Sequence, residues 1–286
     1  MNYRHAFHAG NFADVHKHIV LSRIVAHLRN KPAAFRVIDT HAGAGLYDLT
    51  GEEARRSGEF HNGIERLLQA SLQPDVYELL LPYLTAVAAH NPDDRLTRYP
   101  GSPALVRTWL RPQDRLIACE IEPQAAAALT QTLRGDHRAK AIHLDGWTAL
   151  TAYVPPKERR GLVVVDPPYE QPDELARLSS SLQAAYRKWP TGIYLLWYPI
   201  TERAGPELLA NSLARSGIAK IARIELDLAP ANAQSGLRGS GLIVINPPWT
   251  LEAELKILLP VLTSILTQQN KAGWRFDWLA SAIMPQ

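Results

Sequence analysis

Leu162-Val163-Val164-Val165-Asp166-Pro167-Pro168-Tyr169 is the stretch on which the fold turns. Four uncharged residues, three of them β-branched, read as a buried strand. The prolines cannot continue a sheet ladder, so Asp166 is expected at the strand's carboxyl end in a stiff loop. That placement suits methylation of a planar exocyclic amine. Such a nitrogen is a poor nucleophile, because its lone pair is delocalised into the ring. A carboxylate oxygen of Asp166 and the carbonyl of Pro167 can accept the two amine hydrogens and draw the lone pair out of conjugation. Tyr169 then stacks on the base that carries the amine. Acceptors fixed in advance need little reorganisation when charge develops on nitrogen. Asp-Pro-Pro also occurs in ordinary turns, so the rest of the chain must support the reading.

Apolar runs bounded by turn residues predict seven strands, at 35–39, 116–120, 141–144, 162–166, 193–197, 221–228 and 242–246. Helical patterns separate most of them, at 123–133, 173–188, 206–215 and 251–267. The fold class is therefore α/β, a mostly parallel sheet covered on both faces. Segment 229–240 joins the last two strands without helical periodicity, which favours an antiparallel hairpin at the end of the sheet. A seven-stranded sheet of this kind, mostly parallel with the last strand antiparallel, describes the Rossmann-like class I methyltransferases that use S-adenosylmethionine. The gap of about 70 residues between Gly45 and the second strand is too long for an ordinary connection. Helical periodicity at 65–68 and 76–89 makes 49–98 a small helical insertion, leaving 1–48 and 99–286 as the methyltransferase domain with its N-terminal lid.

Composition sets outer limits. The 286 residues are 46 % apolar, ordinary for a globular chain. No apolar stretch approaches the roughly 20 residues of a membrane span, and Met1-Asn2-Tyr3-Arg4-His5 does not read as a signal peptide. A single cysteine, Cys119, excludes an internal disulfide and fits a reducing cytoplasm. It falls in a predicted strand and is expected to be buried and inert. A net charge of +3, with basic clusters at Arg55-Arg56 and Arg159-Arg160, is compatible with nucleic acid without demonstrating it.

Asp39-Thr40-His41-Ala42-Gly43-Ala44-Gly45 follows the first strand, and its glycines let the backbone approach a ligand. A dinucleotide fingerprint needs a third glycine where Asp48 stands, and an acid much nearer than Glu120. S-adenosylmethionine asks for less. Gly43 can approach the methionine part, Glu120 can accept from both ribose hydroxyls, and Asp145, with Gly146, can meet the adenine. These features fall at successive strand ends, on the edge where open α/β sheets bind ligands. Asn246-Pro247-Pro248-Trp249 copies the Asp166 pattern but should face the opposite rim if its strand is antiparallel, so a structural role is expected.

Tyr3 to His18 leads into a helix, with Asn11 as N-cap and Asp14 in the first turn. The histidine spacings do not form a zinc site, and no metal is expected. Instead Tyr3, His5 and Lys17 are read as a polar, aromatic lid over the reacting base, with His18 facing the cofactor's methionine.

This segment, the 39–45 turn, Tyr99-Pro100-Gly101-Ser102-Pro103, Asp166-Pro167-Pro168-Tyr169-Glu170, 192–199 and 240–249 resemble, in order, the RlmJ family of bacterial 23S ribosomal RNA adenine-N6 methyltransferases. The resemblance runs over nearly the whole chain but carries nothing for the interior of the insertion or the tail after Trp249. It implies S-adenosylmethionine contacts at His18, His41, Ser102, Glu120, Asp145 and Gly146, with Asp166 as the catalytic acceptor beside the cofactor. It places Tyr3 near the target adenosine, and His5 and Lys17 in the same substrate segment. The implied partner is 23S ribosomal RNA, bound by a monomer with neither metal nor membrane. Two rivals remain, a DNA-adenine or protein-glutamine methyltransferase and a catalytically silent RNA-binding assembly factor.

Overall fold

A computed structural model describes residues 4–171, 173–228, 236–267 and 272–280. Tyr3, expected near the target base, lies outside the described residues. The chain opens with a 3-10 turn (His5–Phe7), α1 (Phe12–Arg29), β1 (Arg36–Asp39) and the short β2 (Leu46–Asp48). Then come α2 (Glu52–Ser57), a 3-10 turn (Glu59–Asn62), α3 (Ile64–Gln69) and α4 (Pro74–Ala88). β3 (Arg98–Pro100) and α5 (Ser102–Trp109) lead to β4 (Arg115–Glu120), α6 (Pro123–Thr132), β5 (Ala139–His143) and α7 (Gly146–Ala152). The remainder is β6 (Gly161–Val165), α8 (Glu174–Lys188), β7 (Ile193–Ile200), α9 (Ala204–Ala214), β8 (Ile221–Asp227), β9 (Gly239–Ile245), α10 (Leu251–Leu266) and β10 (Gly273–Ala280).

The main sheet has the order β10-β8-β9-β7-β6-β1-β4-β5. β5, β4, β1, β6 and β7 are parallel neighbours. β9 is antiparallel to both β7 and β8, and β10 is antiparallel to β8. The expectation of seven strands is corrected to eight, and β9 does not end the sheet but lies inside it. The extra edge strand was missed because Trp274, Phe276 and Trp278 alternate with charged residues, a weaker signal than a continuous apolar run. β2 and β3 form a separate antiparallel pair.

Strand alternation explains why 162–165 is apolar throughout. Leu162 and Val164 join the core beneath α1, α5 and α10, while Val163 and Val165 join the core beneath α8 and α9. Residues 49–98 share the first of these cores, through Phe60, Ile64, Leu67, Leu80 and Tyr83. α1 is enclosed by α4, α5, α10 and β9, so even its His16, Lys17 and His18 are buried. Its Asn11 cap accepts from the Asp14 amide at 2.9 Å, the start its sequence predicts. Cys119 is wholly buried, and burial pushes its thiol up to about 12.

Order reverses at β1, which sits between β4 and β6, so the chain leaves a crevice at the carboxyl ends of these strands. Asn246 lies elsewhere. Ile245 pairs with Tyr194 near the start of β7, which puts the second Pro-Pro motif on the opposite rim. Its side-chain amide donates to the carbonyls of Pro190 at 2.8 Å and Gly192 at 2.7 Å, while its backbone holds a left-handed φ of 51°. Asn246→Ala is therefore expected to cost about 1–2 kcal/mol of stability in denaturant titration. Activity of the folded variant should match the parent.

Candidate active site

The first group of residues sits at the turn after β1. The Thr40 amide donates to the Val164 carbonyl at 3.0 Å and the Ala42 amide to the Cys119 carbonyl at 2.9 Å. These bonds bind the turn to the ends of β6 and β4 at once. Gly43 takes a φ of 59°, and a Cβ there would stand 2.2 Å from the Tyr47 hydroxyl, so only glycine fits. Its amide donates to Glu120 Oε2 at 2.8 Å. Oε1 of the same carboxylate accepts from the Ile121 and Glu122 amides, each at 2.8 Å. Glu120 is thereby aimed from its strand end with one lone pair of Oε2 left over.

Asp39 ends β1 and is completely buried. Ser102, the first residue of α5, donates to its Oδ2 at 2.7 Å and the His41 amide also stabilises the carboxylate, while Oδ1 has no close hydrogen-bond partner among the described residues. Burial drives its carboxyl up to about 7, against the Ser102 bond and the nearby Lys17. A buried acceptor left open in a crevice fits a cationic ligand group.

His41 bridges this turn to α7. The Thr40 hydroxyl donates to the Val164 carbonyl at 2.9 Å, so His41 Nδ1 must donate to the Thr40 oxygen at 2.8 Å. Burial holds the ring down to about 4, opposed by Asp166 and Asp145, and keeps it neutral. A Cβ on Gly146 would lie 2.6 Å from His41 Nε2 and 2.3 Å from the Thr40 carbonyl. Glycine at 146 is what allows α7 to start against this ring. Asp145 caps α7, accepting from the Thr148 amide at 2.9 Å and its hydroxyl at 3.0 Å through Oδ2.

The reacting end lies at β6. Lys17, buried in α1, forms an ion pair with Oδ2 of Asp166 and another with Asp14 at 3.0 Å. Asp14 in turn accepts from His5 Nε2 and the Gly10 amide, each at 3.0 Å. Burial alone would raise the Asp14 carboxyl, but His5 and Lys17 outweigh it and hold it well below the usual range. Lys17 is thus a fixed element of the helix, while His5 belongs to the short turn folded over it. His18 Nδ1 meets the Tyr99 hydroxyl at 2.7 Å, which bonds the Tyr83 hydroxyl at 3.0 Å. Its Nε2 is buried without a partner, and burial lowers the ring to about 3.

Tyr169 follows Pro168 with a left-handed φ of 54°, and its hydroxyl donates to the Trp197 carbonyl. The two rings meet edge to face with centroids 5.6 Å apart. Lys17 Nζ lies 6.0 Å from the Trp197 ring centre, and the indole NH donates to Ser240 at 3.0 Å. Trp197 is therefore a wall of the site, although its sequence reads only as strand. Asp39 and Asp14 were also given no role from sequence. Asp39 could have been found by the rule that singles out Glu120 and Asp166, an acid ending a parallel strand. Asp14 read merely as a favourable helix-start charge.

Three comparisons bear on this constellation. A family model described as ribosomal RNA large subunit methyltransferase D, RlmJ, matches residues 32–280. The chain belongs to the RlmJ family. Ribosomal RNA large subunit methyltransferase J of Escherichia coli (strain K12) is 41 % identical, across 98 % of this chain and 99 % of the relative. The Haemophilus influenzae methyltransferase J is 38 % identical over the same shares. A crystal structure of a Legionella pneumophila protein superposes with a TM-score of 0.87 at 34 % identity, covering 96 % of this chain and 99 % of that one.

Membership makes the sheet that of a Rossmann-like class I methyltransferase. Among the described residues no cluster of His, Cys, Asp and Glu could hold a metal ion, and no helix is long and apolar enough to cross a membrane.

Proposed function

We propose that this RlmJ-family chain transfers a methyl group from S-adenosylmethionine to N6 of a specific adenine in 23S ribosomal RNA. One observation carries the reading. The glycine turn and Asp166 stand on adjacent parallel strands of one edge, joined by the Thr40-to-Val164 hydrogen bond two residues before the acid. When bound, S-adenosylmethionine supplies an electrophilic methyl group on a sulfonium.

The protein's residues then have separable tasks. Gly43 gives the backbone clearance, Glu120 accepts from a ribose hydroxyl through the free lone pair of Oε2, and Asp145 with Gly146 borders the adenine. Asp39 Oδ1, assisted by Ser102, accepts from the donor's ammonium, while His18 and His41 line the methionine side. Lys17 holds Asp166 by Oδ2, leaving Oδ1 to accept one hydrogen of the target amine. The Pro167 carbonyl accepts the other, which frees the nitrogen lone pair for in-line attack. Tyr169 stacks on the adenine, and Tyr3 and His5 close over it once it is unstacked from the RNA. After transfer the methylated nitrogen gives its proton up along the hydrogen bond to Asp166 Oδ1, and from there to water.

The test is to offer purified protein and labelled donor to large-subunit rRNA, duplex DNA and protein. Label is expected in rRNA alone, and label confined to DNA or protein would overturn the reading. A second expectation follows from Asp39, whose carboxyl lies near pH 7 without ligand. Because this group is raised above its unfolded value, the folded state holds the proton from about pH 4 to 7 and must release it to meet an ammonium. Donor Kd by calorimetry should rise by up to about tenfold for each pH unit below 7 and level off above it. Asp39→Asn should bind more weakly and show a flat profile.

A further inference from the structure

The rim opposite the active edge is built from the four loops that enter β1, β4, β5 and β6. Residues 29–36, 110–115, 133–140 and 153–161 hold eleven of the chain's 31 Lys and Arg, but only three of its 28 Asp and Glu. The rest of the chain is consequently acidic on balance, and the slight net positive charge of the whole conceals a strongly segregated one.

These loops form one continuous surface. Arg36, Arg115 and Gly161 occupy facing register positions on neighbouring strands, as do Leu116 and Ala139. Arg111 donates to the carbonyls of Lys31 at 2.7 Å and Ala33 at 3.0 Å, and Arg160 reaches the Ala33 carbonyl at 3.0 Å. Arg138 ties the third loop to the second through the Leu110 carbonyl. Each of the three acids is neutralised inside the rim, Asp114 by Arg111 at 2.8 Å, Asp136 by Arg138 at 2.7 Å and Glu158 by Arg36 at 2.8 Å. Arg29, Lys31, Arg134, Lys140, Lys157 and Arg159 are exposed, with no carboxylate partner among the described residues. Burial, Arg160 and Lys31 lower His27 beside them, a sign of how crowded the cations are.

Such a concentration of uncompensated charge is unfavourable unless a polyanion covers it. None of the large exposed apolar side chains falls in these loops, so the rim has nothing to insert into a lipid layer. We infer that the amino-edge rim is a second RNA-binding surface, which grips the phosphodiester backbone of the rRNA remote from the reacting adenine. The inference rests on the RNA-substrate reading above. The five residues of β6 put this rim about 16 Å from Asp166, within reach of a folded RNA that already occupies the active edge. Phosphate contacts there add affinity and orientation without reading sequence.

The experiment uses the full chain carrying K31E, R134E, K140E and K157E together, four exposed positions outside the active edge. KM for large-subunit rRNA at moderate salt should rise tenfold or more, and the slope of log affinity against log salt should shrink by about three. Donor Kd and thermal midpoint should match wild type. A KM and slope equal to wild type would overturn the inference while leaving the function intact. So would unchanged rRNA kinetics accompanied by lost binding to anionic vesicles or to an acidic protein. A wild-type enzyme that methylates no RNA would instead sink the substrate reading, and the inference with it. Should the reversed variant misfold, the neutral set K31Q, R134Q, K140Q and K157Q must show the same direction with a smaller amplitude.

Discussion

Replacing Asp166 by alanine is expected to slow methyl transfer to large-subunit rRNA by about 10³-fold or more. The effect should fall almost wholly on kcat, with donor affinity changing by less than about threefold. The reasoning is local. Lys17 holds Asp166 by one oxygen, and the proposed function gives the other to the reacting amine. Removing it deletes an acceptor that matters only as charge develops on nitrogen, while Gly43, Glu120 and Asp39 continue to hold the donor. Nor should the fold collapse, because Lys17 keeps its ion pair with Asp14 at 3.0 Å. Single-turnover assays with saturating donor, paired with calorimetry, separate the two effects. A variant with near-normal turnover, or one unable to bind donor, would reject the role assigned to Asp166.

The largest effect on stability is expected for Asp14→Ala. This carboxylate is only 2 % exposed and joins His5, Gly10 and Lys17 around the start of α1. Its loss leaves Lys17 buried with Asp166 as its remaining partner, a change that costs about 3–5 kcal/mol when a buried pair is broken. Turnover should fall as well, since Lys17 no longer divides its charge between two acids and the His5 turn loses its anchor. The pH dependence has a definite sign. A carboxyl held below its unfolded value stabilises the fold above about pH 4 and loses that contribution only as pH falls through the lower folded value. The gap between wild type and variant should therefore narrow as pH falls below about 4. Chemical denaturation from about pH 5 down into acid measures it, and a gap that widened below about pH 4 would contradict the network.

How much of this was visible in the residues follows from the length scale of each signal. Apolar runs such as 162–165 and 242–245 are buried on both faces, so their strands can be located without reference to partners. β10 could not be, because an edge strand with aromatic and charged residues in alternation resembles a surface loop. The position of β9 between β7 and β8 depends on pairing across the sheet, and no local pattern encodes it. At the site, Glu120 and Asp166 announced themselves by standing at strand ends. Asp39 satisfies the same rule but was absorbed into the glycine turn beside it. Trp197 was hidden for another reason, since its importance comes from Lys17 and Tyr169, which lie far from it in sequence. The antiparallel placement of Asn246 was legible because a connection without a helix already implied the strand's direction.

The central proposition is that Asp166 and its neighbours present an adenine N6 amine of ribosomal RNA to a methyl donor. Nucleoside mass spectrometry of unmodified large-subunit rRNA, after incubation with this protein and isotopically labelled S-adenosylmethionine, tests it most directly. Label is expected in N6-methyladenosine at one site, and Asp166→Ala is expected to abolish it. Label in a ring carbon, a ribose hydroxyl or any base other than adenine would contradict it.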